Sequence, residues 1–400
     1  MEYIKFSNFI TKTQYGYTAE ATSIDGGDVK YLRITDIVPY FVDKDRVPYC
    51  KISDEKKKQY LVEKDDLLIA RTGATTGYNL IVPNGFDNYI FASYLVRYYY
   101  RKEVLFPQYL KYVLKSKHYY GFVNNYIGGS AQPGMNPKSF GRFEVPYVDY
   151  ESQKRIASVL YSYDCLIEKN NKRIKVLEQM AENLYKEWFV RFRFPGHENA
   201  EFENGIPKEW IIQRMEKYCK VTDGTHDTPL QTENGVPLIT GKCIKDGFID
   251  FSIAYLISEK DHEKIKKRSG LNSGDILFSN IGTVGTTCLV NYYREFSVKN
   301  VIIFKPNSYI KSLYLYYCLT SKPMQELFAT QTNGASQQFV GLNFMRKFKI
   351  LLPTEEILFH FYQLVQPLQD ERNKLHFINK NLIKQRDLLL PRLMSGKLEV

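Results

Sequence analysis

Few residues in this chain of 400 are spaced for chemistry, and the spacing excludes most of what they could do. Gly235-Val-Pro-Leu-Ile-Thr-Gly241-Lys242-Cys243 carries the glycines and the lysine of a phosphate-cradling loop. Its glycines stand one residue too far apart, and Cys243 occupies the place where a hydroxyl would hold magnesium. Cys50, Cys165, Cys219, Cys243, Cys288 and Cys318 are never closer than 24 residues, which leaves no zinc or redox pair, and the six histidines form no HxxxH or HExxH. The thiols are expected to be reduced and packed as small apolar groups, and no metal or cofactor is expected. What remains is binding chemistry. In the first part of the chain it comprises Gln14, Tyr15 and Tyr17, then Arg71, Thr72, Thr75 and Thr76, then Ser130, Gln132, Asn136 and Lys138. In the second part it comprises Thr225, His226, Asp227 and Thr228, the cation Lys242, then Ser279, Asn280 and Thr283, then Ser336, Gln337, Gln338 and Asn343. Amides, hydroxyls and Arg are what base edges and phosphates require. The alternative is that Gly, Thr and Asn gather there because turns need them.

These sets correspond because the chain repeats. Lys64-Asp-Asp-Leu-Leu-Ile-Ala-Arg-Thr-Gly73 matches Ser273-Gly-Asp-Ile-Leu-Phe-Ser-Asn-Ile-Gly282 at an offset of 209. Gly129-Ser130-Ala131-Gln132 matches Gly334-Ala335-Ser336-Gln337 at 205, Met135 to Pro146 matches Leu342 to Pro353 at 207, and Gly16 falls opposite Gly224 at 208. One nearly constant offset over more than a hundred residues marks a duplication. Asn136-Pro137-Lys138-Ser139 is similar to the Asn-Pro-Pro-Tyr/Phe motif of adenine methyltransferases, but its last two residues differ and no glycine-rich cofactor loop precedes it.

Each repeat ends in a long helix. Ile156, Leu160, Tyr163, Ile167, Asn170, Ile174, Leu177, Ala181, Leu184 and Trp188 follow steps of three and four, a heptad seam. A shift of 208 puts the second seam at Leu364, Leu368, Glu371, Leu375, Ile378, Leu382, Gln385 and Leu389. Pro391 and Gly396 are expected to end that helix near Leu390, with Pro367 tolerated near its start or as a kink. The cheapest way to bury both stripes is to pair the helices antiparallel with a block at each end, Asn170 serving as a candidate register device; separate small bundles are the alternative. The fold expected is mixed α/β (α+β): two similar blocks joined by two long antiparallel coiled-coil helices, with a pseudo-twofold internal repeat. The divisions are a first block at 1–149, a helix at 150–193, a linker at 194–207, a second block at 208–354, and a helix with tail at 355–400.

Charge supports a polyanion partner. The chain carries a formal +11, and the excess is +4 in residues 1–149 and +4 again in residues 201–354. Many lysine-rich proteins reach such a charge without nucleic acid, so the duplication matters more than the total. Two basic blocks on a stalk suit double-stranded DNA, whose contact faces recur along a rod. The 32 tyrosines and 25 phenylalanines are read as core rather than as stacking platforms for bases. No apolar run is long enough for a membrane span and Met1 to Ile10 does not read as a signal peptide, so a cytoplasmic protein with no membrane partner is expected.

The residues also resemble a known family, the specificity (HsdS) subunits of type I restriction-modification systems. The resemblance lies in Glu151-Ser-Gln-Lys-Arg-Ile156-Ala with its heptads to Trp188-Phe189, in Gly205-Ile-Pro-Lys-Glu-Trp210, in Asp223-Gly-Thr-His226-Asp-Thr-Pro229 and in Asp387-Leu-Leu-Leu-Pro391-Arg-Leu-Met-Ser-Gly396. It covers essentially the whole chain, is most specific in the helices, and departs at the first block, which has no Ile-Pro-x-x-Trp start. It implies a non-catalytic subunit whose two blocks are target-recognition domains, each reading half of an interrupted asymmetric DNA site. It further implies that the helices dock methyltransferase subunits and that restriction subunits join through them, with AdoMet, ATP and magnesium belonging to those partners. A coiled-coil scaffold that binds no DNA is the alternative from another class.

Overall fold

The computed structural model describes residues 2–22, 27–37, 42–127, 134–282, 284–292, 294–332, 339–394 and 398. The chain divides into two compact units, Met1–Asn170 with Phe377–Val400, and Asn171–His376. Each contains the same three sheets.

In the first unit the strands Ile10–Tyr15, Leu95–Tyr100, Leu67–Ala70 and Asn79–Ile81 form a four-stranded antiparallel sheet in that order. Tyr49–Cys50, Val29–Leu32 and Tyr89–Phe91 form a second sheet, and Glu2–Lys5 pairs with Glu144–Tyr147. The second unit repeats the plan. Lys220–Asp223, Val301–Lys305, Ile276–Ser279 and Thr287–Leu289 make its four-stranded sheet, Tyr255–Ile257, Val236–Ile239 and Ser297–Val298 its three-stranded one, and Ile211–Arg214 pairs with Lys349–Leu352. Glu2–Lys5 therefore stands where Ile211–Arg214 stands, and the first block has the equivalent opening strand although it lacks the Ile-Pro-x-x-Trp sequence.

The repeated anchor is explained by a buried carboxylate. Asp66 accepts from the Glu63 N–H at 2.7 Å and pairs with Arg97 at 3.0 Å; Asp275 accepts from the Asn272 N–H at 2.8 Å and pairs with Lys305. Burial pushes both carboxyls above their ordinary range, the nearby cations only partly opposing it.

The first long helix, Tyr150–Tyr185, starts at Asp149, whose Oδ1 accepts from the Ser152 N–H at 3.0 Å, and closes in a wider turn, Lys186–Val190. The second runs Glu355–Met394. It passes through Pro367 and extends beyond Leu390 through Pro391, because Leu390 and Leu393 lie in the first unit's core and their burial outweighs one missing backbone donor. That core also receives Ile156, Ala157 and Leu160 from the first helix. The second unit's core receives Ala181, Tyr185, Trp188 and Phe189 from the first helix and Ile357, Leu358, Phe361 and Val365 from the second.

Within each unit the helices run antiparallel. In the first, Asp164 meets Arg386 at 2.8 Å and Asn170 Nδ2 donates to Asn379 Oδ1 at 2.8 Å. In the second, Glu178 meets Arg372 at 2.6 Å while the Tyr185 and Phe361 rings lie 6.3 Å apart. Ile156, Leu160, Ile167 and Ile174 are buried, with Leu177 and Leu184 half-buried. On the second helix Leu375 is buried and Leu368, Ile378, Leu382 and Leu389 are half-buried, but Leu364 and Gln385 are exposed and Glu371 is only half-buried. The inward positions are one residue further on, at Val365, Arg372, Asn379 and Arg386. Three of these are polar heads matched to Glu178, Asn170 and Asp164, so a search for apolar periodicity passes over them.

The segment 194–207 is not a loose connector. Phe194 is buried with its ring 5.1 Å from that of Trp210, and Phe202–Glu203 pairs with Ile206–Pro207 in a small hairpin. Its Pro, Gly and Asn residues serve turns, with Asn204 and Gly205 both at positive φ.

Candidate nucleic-acid interface

In each unit the chain crosses between two sheets at a glycine. Beyond Tyr15 the chain crosses from the four-stranded sheet to bridge Ala92 at Tyr17, and a Cβ on Gly16 would lie 2.2 Å from the Ala92 carbonyl oxygen. Beyond Asp223 the chain bridges Lys299 at Thr225, and a Cβ on Gly224 would lie 2.2 Å from the Val298 oxygen. No other residue fits so close an approach.

In the first unit, Arg71 follows the strand Leu67–Ala70. Its guanidinium carbon lies 5.2 Å from the Tyr15 ring centre, its Nε donates to Ser93 O at 3.4 Å, and its carbonyl accepts from the Met135 N–H at 2.8 Å. Arg71, Tyr15 and the segment 134–138, which enters the short helix Pro137–Phe140, therefore converge, with Tyr15, Asn136 and Lys138 exposed and Thr72 half-buried. Tyr17 packs on Tyr60 at 5.4 Å, and the enclosed Thr75 Oγ1 has no partner among the described residues. Others hold the loops themselves. Gln14 accepts from the Tyr99 hydroxyl at 2.8 Å and donates to Gln59 O at 3.1 Å; Thr76, 4% exposed, donates to Gly73 O; Asn136 Oδ1 accepts from the Ser139 N–H at 2.9 Å.

In the second unit His226 lies two residues beyond the crossing glycine Gly224, its side chain 63% exposed, held by Asp223 at 2.8 Å and Asn300 at 3.0 Å. Asp227, Thr228, Lys242 and Asn343 are exposed. Lys264 approaches Asp227 at 3.4 Å and Lys299 donates to the Thr228 hydroxyl.

Part of the candidate list is enclosed. Thr76, Thr225, Ser279 and Asn280 are buried and bonded to backbone: Thr225 Oγ1 accepts from the Asp227 N–H at 3.1 Å and Ser279 Oγ donates to Ile281 O at 3.4 Å within their own loops, while Asn280 Nδ2 donates to Val340 O at 3.2 Å in a distant segment. Short hydroxyls and amides beside strand ends commonly do this work, and their type alone does not separate it from DNA contact. Ser130, Gln132, Thr283, Ser336, Gln337 and Gln338 lie outside the described residues.

Sequence reasoning missed two basic helices, Asp54–Tyr60 and Glu259–Ser269, although the runs Lys56-Lys57-Lys58 and Lys264 to Arg268 were visible behind Ser53 and Ser258, each a helix-starting residue. Each helix follows the antiparallel edge strand of its three-stranded sheet and touches the crest around the crossing glycine. Gln59 O accepts from Gln14, and Arg268 Nη2 donates to Asp223 Oδ1 at 2.7 Å. Among the described residues no group of three His, Cys, Asp or Glu is placed to hold a metal, and no helix is long and apolar enough to cross a membrane.

Comparison with known proteins places this geometry among relatives. The sequence model described as "Type I restriction modification DNA specificity domain" matches residues 9–179 and 207–375. The type I restriction enzyme MjaIX specificity subunit of Methanocaldococcus jannaschii is 26% identical over 400 aligned residues, covering 94% of this chain and 88% of the relative. The HindI specificity subunit of Haemophilus influenzae is 20% identical, covering 88% and 91%. Among solved structures, the type I restriction-modification S subunit from M. genitalium superposes with a TM-score of 0.56 at 12% identity, covering 98% of this chain and 95% of that one. That similarity is one of fold.

Proposed function

This chain belongs to the type I restriction-modification DNA specificity family, and we propose from that premise that it is the specificity subunit of such a complex, reading one half of an interrupted, asymmetric duplex site with each recognition domain. The reading domains span 1–149 and 208–354. The long helices dock methyltransferase subunits, through which restriction subunits join. Methyl and phosphoryl chemistry, with its AdoMet, ATP and magnesium, resides in those partners, and the complex works on DNA in the cytoplasm.

One observation carries this reading. The same three-sheet scaffold is built twice, and equivalent positions carry different side chains: Tyr15, Tyr17 and Thr18 around Gly16 against Asp223, Thr225 and His226 around Gly224, and Arg71 against Asn280. A shared frame with divergent tips suits two readers of different sequences. A scaffold that binds no DNA gives no account of that divergence.

The test is protection of DNA by the complex with its methyltransferase subunits. Protection of two separated half-sites is expected. Arg71→Ala should weaken or relax one half and His226→Ala the other, by about 1–3 kcal/mol where a base contact is lost. Protection of one continuous site would contradict the two-reader account.

A further inference from the structure

We propose, resting on the DNA-reading assignment above, that the basic helices Asp54–Tyr60 and Glu259–Ser269 are phosphate clamps, gripping the DNA backbone beside the bases their neighbouring loops read. Position comes first. In chain order each helix stands between the edge strand of the three-stranded sheet and an inner strand of the four-stranded sheet, and it packs on the strand paired in parallel, Tyr89–Phe91 in one unit and Ser297–Val298 in the other.

Their length and sequence differ, 7 residues against 11, yet both set acidic residues in the first turn, Asp54 and Glu55 or Glu259 and Asp261, and gather cations behind them: Lys56, Lys57 and Lys58 in one, and Lys264, Lys266, Lys267 and Arg268 in the other. Apart from the half-buried Lys57, all of these are exposed. Cations in a last helical turn offset the partial charge of its carbonyls by about 0.3–1 kcal/mol, an effect confined to the helix end that gives no reason for three or four of them. Phosphate contact does give one, because it requires charge on the right side of the fold and not a particular side-chain geometry. That is the pattern seen, with charge kept in the helices while the crest residues diverge.

Both helices also reach the crest, by unrelated contacts. In the first unit Lys56 Nζ lies 5.8 Å from the Tyr17 ring centre. In the second, Arg268 is anchored by Asp223 at 2.7 Å and Lys264 lies 3.4 Å from Asp227. The Lys264–Asp227 pair is open to solvent and therefore weak, so an approaching phosphate displaces the carboxylate at little cost.

The experiment measures binding of the complex with its methyltransferase subunits to a duplex carrying its site, across a salt series. Each lost phosphate contact lowers the slope of log K against log salt by about 0.9. Lys56→Gln/Lys57→Gln/Lys58→Gln should lower it by about 2–3, and Lys264→Gln/Lys267→Gln by up to about 2, with the methylated sequence unchanged. Replacing the same lysines with Arg should keep the wild-type slope. An unchanged slope in both Gln variants overturns the clamp while leaving the reading domains intact, and so does a changed methylated sequence, which would make these helices base readers. Absence of salt-dependent duplex binding by the wild-type complex would instead defeat the DNA-reading assignment itself.

Discussion

At the scale of residues, the two units share a glycine at which the chain crosses between sheets. Gly16 and Gly224 have no room for a Cβ, since the nearest carbonyl oxygen would be 2.2 Å away in both. Gly224→Ala should cost about 2–3 kcal/mol or more and shift the His226 crest, seen as a lowered midpoint of unfolding together with loss of one half-site's protection. The glycine pair was legible in the sequence as a repeat anchor, and so were Arg71 and His226 as candidate contacts. The burial of Thr225, Ser279 and Asn280 was not, because a hydroxyl or amide beside a strand end has the same type whether it faces DNA or its own loop.

At the scale of elements, the helix pair is held by polar groups as much as by leucines. Asp164, 2% exposed, takes Arg386 on one oxygen and both Lys111 and the Tyr112 hydroxyl on the other. Burial alone would raise its pKa, but Lys111 and Arg386 outweigh burial and hold it below the ordinary carboxylate range. A carboxylate depressed in the fold contributes stability that is complete above its unfolded pKa, about 3.9, and is lost as pH falls through the folded value. The unfolding midpoint should therefore drop on acidification below about pH 4, with that component absent in Asp164→Asn. At neutral pH Asp164→Ala, which takes the shared carboxylate from Arg386, Lys111 and Tyr112 and leaves Arg386 with Asp387 at 2.9 Å, should cost up to about 3 kcal/mol in denaturant unfolding. The helices, their length and much of the first seam could be read from heptads. The inward line of the second could not, because Arg372, Asn379 and Arg386 occupy it and their partners lie on a helix some 200 residues away in sequence.

At the scale of the whole molecule, the organising fact is duplication. Three sheets, a crossing glycine, a buried Asp–cation pair and a basic helix recur in both units, and the cations of those helices contribute to the +4 excess of residues 1–149 and of residues 201–354. The repeat was legible because the turns it preserves have strict chemistry: Asp66 and Asp275 must accept a backbone N–H, and the residues before them, Asp65 and Gly274, both adopt positive φ. The bases read were not legible, since no rule maps crest side chains on an irregular loop to base pairs. The central claim, two readers on one chain, is tested most directly by mapping methylated bases in DNA from cells carrying this subunit with its methyltransferase partner. The account predicts methylation within a bipartite, asymmetric site with a fixed unspecified spacer, one half of it altered when residues 208–354 are exchanged for those of a relative. Methylation at one continuous motif, or both halves changing together in that exchange, would contradict it.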